Sequence, residues 1–233
     1  MPLTPPFLSR TERTIGILPP LLATALLILL ALPVNAAPPC GELRGGWYGP
    51  YDYTDAEDRS HLHVVEMYHF TPQVESLISG RSGYLWQDLD YTLRAFPNHH
   101  RALYAFIRYE LRERQKSQQE KKPYLPPTSV GEFPVTAACF FDRAIRWQPR
   151  DPNVYMLYGL YFQLNGMPLK ALEQYRISEK LQPNSADLHY NLGLLYFDAK
   201  DYPQAKAHAK RAYQLGYPLP GLRKKLAGVG QWP

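Results

Sequence analysis

Three small residues return at one spacing near the end of this chain. Gly159 recurs as Gly193, Ala171 as Ala205 and Ser178 as Ala212, each pair 34 residues apart. Three landmarks in register make a repeat, and a unit of that length is one supersecondary element that buries its apolar face only by stacking on neighbours. Whatever the chain folds into must therefore contain, between Asp151 and Tyr217, one helical hairpin written twice.

The residues at the landmarks say why the unit is a helix pair. Gly159 and Gly193 sit inside apolar helical patterns (Tyr155, Tyr158 and Phe162; His189, Leu192 and Tyr196), where a missing side chain lets a second helix come close. Ala171 and Ala205 are the small partners on that second helix, and a larger residue would force the pair apart at about 1–3 kcal/mol. Asn165-Gly166-Met167-Pro168 and Lys200-Asp201-Tyr202-Pro203 each close one helix and open the next with proline in its first turn. Pro183-Asn184 then separates the two hairpins.

This pattern resembles the tetratricopeptide repeat. The segment ADLHYNLGLLYFDAKDYPQAKAHAKRAYQLGYP carries the family's landmarks at Leu192, Gly193, Tyr196, Ala205 and Ala212, and departs from them at His189, where an aromatic is usual, and at Tyr217, where proline is usual. The earlier copy keeps Tyr155, Gly159, Ala171, Tyr175 and Pro183, with Tyr158 for leucine and Ser178 for alanine. The resemblance implies an all-α superhelix of about three hairpins over residues 71–217, whose concave face is lined by the first helix of each pair. Carried over position by position, that groove holds Asn153, Met156, Leu160 and Gln163 in one repeat and Asp187, Tyr190, Asn191, Leu194 and Phe197 in the next, with Tyr104 and Arg108 continuing the line. An apolar, aromatic groove suits an extended peptide or an amphipathic helix. Some family members clamp a C-terminal carboxylate with basic groove residues; here Met156 and Tyr190 stand where lysines would be needed, and Asn191 alone matches.

Residues 1–36 read as a secretory signal: Arg10 and Arg13 precede an apolar run from Leu21 to Val34, and Val34-Asn35-Ala36 offers small residues for cleavage. The run is short for a bilayer span of about 20 residues, although Ile15 to Pro20 can extend it into an uncleaved anchor, the chain's one route to a membrane. Cys40 lacks a lipobox context. Cleavage leaves a formal charge of +4, against +5 for the whole chain, too small and dispersed to imply nucleic acid. Export also gives the only two cysteines, Cys40 and Cys139, an oxidising compartment, where an even count favours a disulfide over two separate thiols.

Between these segments the order is less regular. Residues 37–70 read as an extended arm, because Gly and Pro interrupt any helical period while Trp47, Tyr48, Tyr51 and Tyr53 call for burial, either in cis or against another protein. His61, His63 and His69 fall in this arm without a carboxylate or cysteine at ligand spacing, so no metal is expected. Thr71 to Ser79 and Tyr84 to Phe96 form an incomplete hairpin. Ala102 to Leu111 and Pro134 to Trp147 form another, split by an insertion at 112–130 that either lengthens the first helix into solvent or loops out to a partner. A basic capping helix at Leu222 to Ala227 and a tail complete the chain over 218–233.

No nucleophile elbow, phosphate loop, paired-cysteine metal motif or HExxH helix is present. The expectation is a non-catalytic, cofactor-free, exported interaction module that binds another protein as an adaptor in the envelope of a Gram-negative cell. The alternative is a cell-wall or glycan accessory that binds through its aromatic arm.

Overall fold

Among the described residues, five of the ten α-helices begin under a short polar side chain that accepts a first-turn backbone N–H. In the computed structural model, which describes residues 40–43, 48–81, 83–129 and 133–232, Asp151 caps α6 (Pro152–Leu164), Ser185 caps α8 (Ala186–Asp198), and Asp201 caps α9 (Tyr202–Gln214), each accepting a first-turn backbone N–H. Between α6 and α8 lies α7 (Pro168–Leu181), which starts on its proline. The two hairpin turns repeat as faithfully as the helices. Met167 N–H donates to Phe162 O and Gly166 N–H to Gln163 O; 34 residues on, Asp201 donates to Tyr196 O and Lys200 to Phe197 O. This double bond pattern closes a helix through a left-handed residue, which is Gly166 at φ 70° in one turn and Lys200 at φ 62° in the other.

The small residues lie at the crossings of these helices. A Cβ on Gly159 would stand 2.4 Å from the Tyr175 ring, and one on Gly193 would stand 2.4 Å from Leu222 and 3.3 Å from Ala205 O. Ala171, Ala205, Ala209 and Ala212 have no exposed surface. Ser178, where the family prefers alanine, uses its hydroxyl to donate to Pro152 O across the hairpin at 2.8 Å. The expected close approach is present, but at Gly159 the space is taken by the Tyr175 ring rather than by Ala171.

The N-terminal half departs from the sequence reading in two places. Asp58–His61 is a turn of 3-10 helix and α1 spans Leu62–His69, so the arm is not extended through residue 70. α2 is only Pro72–Glu75, because the chain turns at Leu77 with φ 59°, and the expected helix to Ser79 is cut short. α3 (Leu85–Ala95) packs against α1 and against α4 (His100–Gln119). α4 runs for 20 residues, through the first part of the segment expected to be an insertion at 112–130. α5 (Ala137–Trp147) starts under the Thr136 cap, three residues later than expected. α10 (Gly221–Gly228) closes the stack against α8 and α9.

The described part of the arm is held in cis. Cys40 and Cys139 form a disulfide with Cα atoms 5.0 Å apart. The Arg143 guanidinium donates to Cys40 O and Glu42 O, and Arg146 donates to Gly41 O. Further along, Tyr51 N–H donates to Ala95 O, an approach that only glycine at position 49 permits, since a Cβ there would lie 2.5 Å from that same oxygen. The rings of Tyr51 and Tyr53 stack on His61 and His99. The expected signal segment 1–36 and Trp47 lie outside the described residues. No helix among those described is long and apolar enough to cross a membrane. The architecture is a tetratricopeptide-like all-α stack: an irregular N-terminal half, two regular hairpins and a capping helix.

Candidate functional site

The first helices of successive pairs, α4, α6 and α8, lie side by side, and their adjacent faces carry the sequence-derived groove residues. Asn153, Met156, Leu160, Asn191 and Leu194 are half-buried: Met156 and Leu160 rest on the main core, Leu194 on the C-terminal one. Tyr104 is 43% exposed and Asp187 is exposed. Half-burial of this kind fixes a side chain by packing while leaving one apolar flank uncovered.

Four of the expected groove residues are used within the fold. Gln163 accepts a 2.8 Å hydrogen bond from the Tyr175 hydroxyl. Arg108 donates to Glu75 O at the end of α2 while lying over the Tyr104 ring. Tyr190, 9% exposed, stacks on Tyr217 with ring centroids 3.9 Å apart. Phe197 packs against Tyr202 and beneath the Lys225 ammonium. What covers Tyr190 and Phe197 is thus α10 and the chain leading into it. The described arm lies elsewhere, on α1, α3, α4 and α5, and touches this face only at its edge, where Thr54 and Asn153 border a shallow depression with Asp151.

The electrostatics of the face are those of a desolvated aromatic surface. Burial, followed by the neighbouring Tyr190, pushes the Tyr217 phenol up to about 12, with Asp187 and Tyr104 contributing to the same rise. Tyr190 is raised by burial as well. At the start of α6, burial opposes the charge on Asp151, but hydrogen bonds from His100, Asn98 and Asn153 N–H outweigh it and hold the carboxyl below its usual range. That carboxylate works as cap and clasp, tying the start of α4 to the start of α6.

The histidines of the arm do not converge. His61 pairs with the Tyr48 hydroxyl at 2.9 Å and His69 with Asp88 at 3.0 Å, while His63 is exposed on the next turn. The unexpected α1 presents an exposed apolar edge of Val64, Met67 and Tyr68. Their i, i+3, i+4 spacing was the available signal.

Comparison with known proteins leaves the chain outside any family model: none matches. Human protein O-mannosyl-transferase TMTC1 is 30% identical over 90 residues, which cover 37% of this chain and 10% of that protein. The chain therefore spans about a tenth of the curated relative it matches. Among solved structures, MamA MSR-1 C2 aligns over 69% of this chain and 79% of its own length with a TM-score of 0.41 and 17% identity. A mutant of MamA aligns over 69% and 80%, with a TM-score of 0.39 and 19% identity.

Proposed function

We propose that this protein is a non-catalytic scaffold that holds a protein partner, as an extended peptide or amphipathic helix, along the α4–α6–α8 face. The observation that carries this reading is the row Met156, Leu160 and Leu194, packed at the base and uncovered on one flank, with Asn153 and Asn191 beside it to meet a partner's backbone. Tyr104 extends the row at one end; α10 bounds it at the other.

The proposal includes export to the periplasm and service as an adaptor in an envelope assembly. The Cys40–Cys139 bridge supports it, since such bonds persist in oxidising compartments, as does the signal-like composition of residues 1–36. The aromatic-arm alternative loses ground because the rings of Tyr51 and Tyr53 are spent on internal stacking.

A photoreactive residue at Leu160, compared with one at exposed Arg176 on α7, tests the binding face in intact cells. The expected result is one discrete crosslinked partner from position 160, reduced at least tenfold by Leu194→Glu and absent from position 176. Equal capture from both positions, or none from 160, would overturn the assignment. The intact mass of the exported chain tests cleavage after Ala36.

A further inference from the structure

At the seam between the two regular hairpins, three helices point ligand atoms at one place. Glu179 on α7, His189 on α8 and His208 on α9 each offer one atom, and these lie within 4.8 Å of one another. His189 Nδ1 is 3.0 Å from His208 Nδ1 and 4.0 Å from Glu179 Oε1. On its far side, His189 Nε2 lies 3.0 Å from Pro183 O. A carbonyl oxygen only accepts, so Nε2 carries the proton and Nδ1 presents its lone pair to the cluster. A backbone carbonyl behind one ring nitrogen is how proteins orient a metal-ligating histidine. The second ring is oriented too: Tyr196 stacks on His208 at 5.4 Å and 12°.

We propose that Glu179, His189 and His208 bind a divalent first-row transition ion through Oε1, Nδ1 and Nδ1. Two imidazoles and one carboxylate suit zinc, nickel or copper, whereas magnesium and calcium call for oxygen ligands. Zinc–nitrogen bonds of about 2.0–2.1 Å in a tetrahedral site place two nitrogens roughly 3.3 Å apart, so the rings need to open by only a few tenths of an ångström. Glu179 and His208 are half-exposed, so ion and water reach the site from solvent. The bound ion ties the second helix of one hairpin to both helices of the next.

Calorimetric titration of the chelator-stripped full chain with zinc chloride tests this, with magnesium chloride as control. The expected result is saturable binding of one zinc in the micromolar range or tighter, no heat from magnesium, and a melting temperature raised by about 5–10 °C at zinc 100-fold above its Kd. His208→Ala and Glu179→Gln should each weaken zinc binding at least tenfold while leaving the helical circular dichroism unchanged. His189→Phe, which retains a ring at that crossing, should abolish it. His63→Ala should change nothing. Absence of saturable zinc binding, or affinity unchanged in His208→Ala and Glu179→Gln, would overturn the proposal; should His189→Phe fail to fold, those two variants decide.

Discussion

Asp88, Asp90, Thr92, Asn98, His99, Glu110, Ser129, Arg143 and Asp151 are all buried, and all lie at or before the first residue that caps α6; within the two regular hairpins only Ser178 and His189 are polar and buried. The regular half comes together by leaving side chains out, with glycine and alanine at each crossing. The irregular half comes together by satisfying polar groups. Glu110 accepts from Ala137 N–H, Arg114 and Tyr161, fastening the start of α5 to α4 and α6. Asp90 accepts from Ser129 and Arg94, with burial raising its pKa above the usual carboxyl value. Arg143, pushed down to about 10 by burial first and then by Arg146, lies over the Phe133 ring and holds the arm's carbonyls. A repeat needs only its neighbours, whereas an unrepeated segment needs named partners for each buried polar group.

That contrast breaks first at the disulfide. Replacing Cys40 and Cys139 by alanine removes a link across a sequence separation of 99 and should cost about 2–5 kcal/mol, read as a fall in melting temperature of roughly 5–20 °C. In the regular half, the comparable lesion is Gly159→Ala, whose Cβ meets the fully buried ring of Tyr175. It should cost about 1–3 kcal/mol by denaturant titration. Gly193→Ala should cost less, because the tip of Leu222 can rotate away. Equal costs would show that the two crossings are not packed as described.

The irregular half should also be the more sensitive to acid. Burial pushes His99 below its usual value although its bond to Glu66 pulls the other way; its Nδ1 accepts from Ala102 N–H and so favours the neutral ring. Because the folded value lies below the unfolded one of about 6.5, this contribution is complete above that pH and is lost as pH falls through it, by up to about 1.4 kcal/mol per unit. His208 titrates in the same direction, so the reading is the difference between wild type and His99→Asn. The variant should show a shallower loss of stability from pH 7 to 5. The smallest effect is a gain: Lys200→Gly, at a left-handed position that its counterpart Gly166 already fills with glycine, should stabilise by up to about 1 kcal/mol.

The same contrast governs how far the sequence could be read. Gly159, Ala171 and their counterparts were legible because a repeat states each contact twice and the second statement checks the first. The disulfide was legible from the even cysteine count together with the expectation of export. α1 was not, because Gly and Pro up to Pro50 coloured the reading of what followed, and its outer edge of Val64, Met67 and Tyr68 stays exposed. Among the expected groove residues, the long side chains of Gln163 and Arg108 found partners on α7 and α2, which spacing along one helix does not reveal. Tyr190 and Phe197 were expected to line the groove; the missing Cβ of Gly193 instead admits Leu222, and α10 follows it over both rings. His189 and His208 are brought together only by the hairpin's closure, so neither the aromatic position that His189 fills nor the arm histidines pointed to them.

Amide hydrogen exchange, measured with the Cys40–Cys139 bridge intact and then reduced, tests the division between the halves most directly. Reduction should raise exchange at least tenfold in residues 48–57 and in α5, while α8 and α9 stay within about threefold of their original rates. A uniform rise across all helices would contradict it, since the regular hairpins would then depend on the arm's tether and not on their own close contacts.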